Sequence, residues 1–217
     1  MCSHCAAVAD CSSYHRMFFA NRMAGKDLRN CPSNDGHNVD AIDGLIMPTV
    51  VLLGYACKPE AEARAVAQQS VYATRNSERV ANYVGRFSGM LRAVLDGSPV
   101  PNVAQEAAKS LLGHEMDISQ SDPVVACYVD SNFASLIHLA AKYGNDFEAT
   151  LLANANAGGE NVHRGLVLGA LMGAQVGASR IPQRLKEGLF HSSELEREID
   201  AFVTARIACD HGAPPCA

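Results

Sequence analysis

Four glycines, Gly165, Gly169, Gly173 and Gly177, recur every fourth residue through the apolar run from Leu166 to Val176. No other feature restricts the fold as much. Residues four apart share one face of an α-helix. Each glycine inside a helix costs about 0.8–1.0 kcal/mol relative to alanine, so the stripe needs a compensating contact. A flat glycine face lets another backbone approach closely, and the dispersion contacts offset the cost. Val162, Leu166, Leu168, Leu171, Met172 and Val176 make most of the remaining surface apolar. The stretch from Asn161 to Gly177 is therefore expected to be the central, buried helix.

Helical periodicity dominates the rest of the chain. Residues 1–38 read as an irregular opening segment that ends in the loop CPSNDGHN. Asp40 or Asp43 is expected to cap a helix to Tyr55 that Pro48 starts or kinks. A second helix opens at Pro59-Glu60 and turns Ala63, Val66, Ala67 and Val71 to one side. Ser77 caps a third, in which Val80, Tyr83, Val84, Phe87, Met90, Leu91, Val94 and Leu95 follow helical spacing up to Gly97. A short helix follows near 103–112. Val124 to Val129 fits either a short strand or an extended run into a helix over 132–143, capped by Asp130-Ser131-Asn132. Asp146 caps FEATLLANANA, Pro182 starts a short helix through Leu189, and Ser193 caps the last, to about Ala208. The economical architecture is one all-α domain over 1–217, a multi-helix bundle with its helical core at 40–208 and a tail at 209–217.

Composition narrows the function classes. Hydrophobic content of 48% and charged content of 19% describe a globular chain. A net charge of −5 without a dense Lys/Arg patch argues against non-specific nucleic-acid binding. No apolar run reaches the ~18 residues of a membrane span. The N-terminus lacks the basic start and apolar stretch of a secretory signal, so a cytosolic or organellar interior is expected. Of the 8 cysteines, Cys2, Cys5 and Cys11 crowd the N-terminus with His4 and His15, and Cys209 and Cys216 flank His211. Only Cys2 and Cys5 have zinc-ligand spacing, so reduced thiols are the expectation.

Chemistry concentrates where the glycine helix begins. A helix N-terminus presents unpaired N–H groups and a positive dipole end. Gly158 and Gly159 precede it and let a ligand approach the backbone. Glu160 suits the dipole, either as a cap or as an acid/base group. Asn161 adds polar contacts, His163 offers a proton near neutral pH, and Arg164 has the geometry of a phosphate clamp. Arg164 can equally meet an acid elsewhere in the protein. The loop at Asp35 and His37 is a second candidate wall of the same pocket, or merely a turn. His138 reads as a satisfied core histidine.

The stretch NANAGGENVHRGLVLGALMGAQVG, followed by Ile181-Pro182, resembles the C-terminal signature of the ADP-ribosylglycohydrolase family. Asn156, Gly158, Gly159 and the run GALMGAQVG match, and the similarity covers about 132–190, with a fainter likeness over 40–96. The resemblance implies an orthogonal bundle of the ADP-ribosylglycohydrolase type that lacks its N-terminal helices. It also implies hydrolysis of a glycosidic bond to ADP-ribose, commonly with two magnesium ions. Carried over by position, the first signature acid is Glu160. The second falls on Val162, and the following threonine on His163. Arg75 stands where a family histidine follows threonine, and the N-terminal Gly-Asp-x-x-Gly and Asp-Asp motifs are absent. Magnesium wants carboxylate and water oxygens in octahedral array, so a two-metal site is not expected and one magnesium at Glu160 is the most the pattern supports.

Two functions follow. One is a divergent glycosidic-bond hydrolase acting on an ADP-ribosyl-type ligand, with Glu160 and His163 catalytic. The other is an inactive scaffold of the same fold, a ligand-binding or structural subunit, as the family's lens crystallins illustrate. Absent family helices would expose apolar faces, so a protein partner or self-association is expected.

Overall fold

A computed structural model describes residues 13–210, with side chains through 206. The candidate ligands Cys2, His4, Cys5, Cys11, His211 and Cys216 lie outside the described residues, as does the Cys209 side chain. Among the described residues there are ten α-helices, three short 3-10 turns and no strand. The helices are α1 (Ser13–Met23), α2 (Ile46–Gly54), α3 (Glu60–Val71), α4 (Glu78–Leu95), α5 (Val100–Leu112), α6 (Val129–Tyr143), α7 (Phe147–Ala157), α8 (Asn161–Val176), α9 (Gln183–Glu187) and α10 (Ser192–Asp210). None is long and apolar enough to cross a membrane.

Local chemistry accounts for most boundaries. Ser77 Oγ accepts from the Val80 N–H at 3.0 Å and starts α4. Asp146 does the same for α7 through the Ala149 N–H at 2.9 Å. The expected face of α4 is buried at Val80, Val84, Phe87, Met90, Leu91 and Val94, while Tyr83 is half-buried and Leu95 exposed. On α3, Ala63, Ala67 and Val71 are buried. The core joins these faces to Ile42, Leu45, Phe133, Leu136, Ile137, Leu139, Val167, Leu168, Leu171 and Met172. Helix α8 packs against α2, α4, α5, α6 and α7 and so lies at the centre.

The structure corrects several expectations. The opening segment is not irregular throughout, because residues 13–23 form α1 and residues 28–30 a 3-10 turn. Neither Asp40 nor Asp43 caps α2, which follows a 3-10 turn at Ile42–Leu45 capped without a side chain. Helix α5 begins at Val100, earlier than expected. Helix α6 begins at Val129, so Asp130, Ser131 and Asn132 lie inside its first turn. Residues 124–128 are extended but form no strand. They make single ladder contacts, with Ile42 N–H donating to Cys127 O and Val129 N–H to Asp40 O, both at 2.9 Å. The last helix begins at Ser192, one residue before its expected cap.

Helix α8 is central but buried on one face only. Arg164, Val167, Leu168, Leu171 and Met172 point inward, while Val162 is 72% exposed and Leu166 is exposed too. The glycine stripe is a close-packing face only at its start. A Cβ at Gly165 would lie 2.7 Å from Asn154 Nδ2, whereas one at Gly169 meets only Leu151 at 3.8 Å and one at Gly173 meets nothing.

Candidate functional site

The turn into α8 is shaped by its two glycines. Gly158 and Gly159 have φ of +69° and +62°, conformations that L side chains rarely adopt. A Cβ at Gly159 would sit 2.3 Å from Val125 O. This close approach lets the Glu160 N–H donate to Val125 O at 3.0 Å. The extended segment is thereby tied to the N-terminus of α8. These glycines fit backbone packing, with no ligand needed to explain them.

Residues 160–164 split between two environments. Arg164 is fully buried. Its Nε donates to Asn154 Oδ1 at 2.6 Å, and the guanidinium also reaches Asn132 Oδ1, Asn154 O and Gly158 O at 3.1–3.3 Å. Burial lowers its pKa, and the charge of Glu160 offsets this in part. Arg164 is therefore neither a phosphate clamp nor the partner of a directly bonded acid. It stitches α6, α7 and the glycine turn together through amide and carbonyl oxygens. Asn154 completes the stitch by donating to Asn161 O at 2.8 Å. Asn161 turns back to Ala155 O, and Asn156 is exposed on the end of α7.

Glu160 and His163 face the other way. Glu160 occupies the N-cap position of α8 but makes no capping bond with its side chain. Its Oε1 pairs instead with His163 Nδ1 at 2.7 Å. Both line a cleft of about 280 Å³ with Ser13, Tyr14, Arg16, Asn38, Asp43 and Cys127. Asp43 is its most constrained member. Arg75 grips both carboxylate oxygens at 3.0 Å, and the Tyr14 hydroxyl donates to Oδ2 at 2.5 Å. The guanidinium carbon of Arg75 stacks 3.8 Å above the Tyr14 ring. Burial would raise the Asp43 pKa, but the bonds and charge of Arg75, with smaller help from Tyr14 and His163, hold it below the usual value.

The loop before Asp43 contributes less than expected. Asp35 accepts from the N–H groups of His37 and Val39, from Asn38 Nδ2 and from Ser13 Oγ. Slight burial opposes them, but these bonds keep its carboxyl far below the usual range. Asp35 thus organises a turn and ties it to α1. His37 pairs with the Tyr128 hydroxyl at 2.8 Å. Of this loop it is Asn38 that lines the cleft, and neither Asp35 nor His37 does. His138 is buried with its Nε2 3.2 Å from Asp122 Oδ1, as a satisfied core histidine should be. Cys31 and Cys127 are free thiols.

The donor set does not fit a pair of magnesium ions. Among the described residues, no three His, Cys, Asp or Glu side chains converge as a metal site. Both Asp43 oxygens are engaged by a guanidinium, one Glu160 oxygen is shared with an imidazole, and the second signature position is an exposed valine. Magnesium requires free carboxylate oxygens.

A family model for ADP-ribosylglycohydrolase matches residues 3–211. The chain belongs to the ADP-ribosylglycohydrolase family. The match extends the resemblance from 132–190 to nearly the whole chain, and the all-helical architecture agrees with it. No curated protein and no solved structure matches the chain.

Sequence reasoning found Glu160, His163 and the loop that carries Asn38, but not Tyr14, Arg16, Asp43 or Cys127, as cleft residues. Only Asp43 carried a usable signal. Arg75 replaces a family histidine by a cation, and a buried cation calls for a carboxylate.

Proposed function

We propose that this family member is a hydrolase of a glycosidic bond to an ADP-ribosyl-type ligand, with Glu160 and His163 as its acid–base pair. The observation that carries this reading is their 2.7 Å contact in the wall of the cleft. A carboxylate accepts a proton from an attacking water, and an imidazolium delivers one to a leaving group. The exposed guanidinium of Arg16 at the same cleft replaces Arg164 as the group that meets a diphosphate. Asn38 supplies polar contacts to a ribose. Magnesium enters this reading only as a single ion at Glu160, in competition with His163.

A second reading is a family scaffold that binds without turnover. The Asp43–Arg75 lock favours it, because it removes a carboxylate from chemistry at the cleft. Calorimetry with ADP-ribose, with and without magnesium, and release of ADP-ribose from N- and O-linked conjugates separate the two. Turnover that Glu160→Gln abolishes is the expected outcome. Binding without turnover establishes the scaffold, and no binding in either condition sinks both. Self-association or a protein partner belongs to the same proposal. Sedimentation of the full chain tests it, and a stable monomer counts against self-association.

A further inference from the structure

A second cavity lies away from the cleft, under the segment that joins α5 to α6. This segment, residues 113–128, is strapped down at several points. Gln105 exchanges two hydrogen bonds with the Met116 backbone, at 2.7 and 3.1 Å. Lys142 Nζ donates to Gln120 O at 2.9 Å. Asp122 receives Lys142 at 2.9 Å and the Tyr143 hydroxyl at 3.0 Å, and its Oδ1 faces His138 Nε2. Beneath the strap is a space of about 460 Å³, lined on one side by Leu112, Met116 and Val125 and on the other by Ser131, Ser135 and His138 of α6.

Two features distinguish this space from a packing gap. Its volume falls in the range of small-molecule sites, roughly 300–1,000 Å³. Its floor also holds an unexplained polar group. Ser135 is 2% exposed, and its Oγ has no hydrogen-bond partner. A buried hydroxyl left unpaired is destabilising, and such groups in folded proteins normally have a partner. His138, one turn further along α6, is also buried at this cavity and is fixed by Asp122.

We propose that the space beneath the 113–128 strap is a second ligand site, for a small, largely apolar molecule with one uncharged hydrogen-bonding group seated on Ser135, and that its occupancy is transmitted to Glu160. Val125 makes the connection, since its side of the strap lines the cavity while its carbonyl accepts the Glu160 N–H. The close contact of Gly159 with the Val125 backbone leaves little slack between them. The acid that lines the space, Asp117, already accepts hydrogen bonds from Ser119 and Gln120, so a neutral head group suits the site better than an ion. The inference does not depend on the glycosidase reading of the cleft.

Titration of the isotopically labelled full chain with benzyl alcohol, cyclohexanol and toluene, followed by amide chemical shifts, tests it. Saturable shifts are expected at Ser131, Ser135, His138 and Val125, with a matching shift at Glu160. Benzyl alcohol should be preferred over toluene about fivefold, the value of one neutral hydrogen bond at about 1.4 kcal/mol per tenfold. Ser135→Ala, which removes only an unpartnered hydroxyl, should erase that preference while leaving toluene affinity unchanged. Ala134→Leu, filling the cavity from a half-buried position, should abolish binding of all three. Shifts that fail to saturate with either alcohol overturn the site, as does a preference that survives in Ser135→Ala. Saturation at the cavity without movement at Glu160 overturns the transmission.

Discussion

The two ends of α8 use the same residue types for different purposes. At its start, Gly165 lies against Asn154, and Arg164 is fully buried among the carbonyl and amide oxygens of α6, α7 and the glycine turn. At its end, Gly173 and Gly177 have open space where a side chain would be. The period of four thus identifies a face, but the neighbour at Gly165 and the backbone angle at Gly177 decide whether glycine is needed there. The start of the helix is over-determined because the candidate site rests on it. Arg164 holds the turn from inside while Glu160 and His163 stand outside in the cleft. The exit end carries no such packing demand: Gly173 weakens the helix without compensation among the described residues, and Gly177 is the C-cap, where a φ of +72° calls for glycine.

The largest test of this contrast is Arg164→Met. It empties a buried site and orphans the oxygens of Asn132, Asn154 and Gly158, so a loss of about 3–5 kcal/mol is expected. Urea unfolding measures it, and a loss below about 1 kcal/mol would show that the first turn is not the keystone. Asp43→Asn follows. It leaves the buried Arg75 facing a neutral amide, for an expected loss of about 2 kcal/mol at neutral pH. The folded-state pKa of Asp43 lies below its unfolded value of 3.8. Its stabilisation is therefore complete above that value and disappears as pH falls through the lower, folded one. The melting-temperature gap between the two proteins should close in that acid window. A constant gap at all pH values would assign the loss to packing.

How far the sequence discloses this molecule follows the same division between local and distant causes. Helix α4 is legible because its amphipathic period and the Ser77 cap lie within one segment. Helix α1 is not, because Tyr14 is its only buried residue and no periodic apolar face exists. Its supports are remote, from Tyr14 to Asp43 and from Asn21 to Cys31 O and Ser33. The site divides likewise. Glu160 and His163 are one helical turn apart and readable as a pair. Asp43, Arg75 and Tyr14 meet only through tertiary structure. The inward path of Arg164 also depends on Asn132 and Asn154, which no motif connects to it.

Alanine substitutions along the stripe give the smallest and sharpest comparison. At Gly165 a methyl group would press on Asn154 Nδ2, which cannot yield without breaking its own bond to Asn161 O and disturbing the bond that Asn154 Oδ1 accepts from Arg164 Nε. Overpacking of this kind costs about 1–3 kcal/mol, less the helix-propensity gain of about 1 kcal/mol, so Gly165→Ala should be destabilising by about 1 kcal/mol. At Gly173 the methyl meets nothing, and the propensity gain of about 0.8–1.0 kcal/mol should appear almost whole. Opposite signs from the same substitution two helical turns apart are the expected result in urea midpoints. Stabilisation at both positions would mean that Asn154 moves freely, and the tight entrance would then be no tighter than the exit. Destabilisation at both would mean that something packs on Gly173 that these residues do not include, which is what a second subunit seated on the stripe would do.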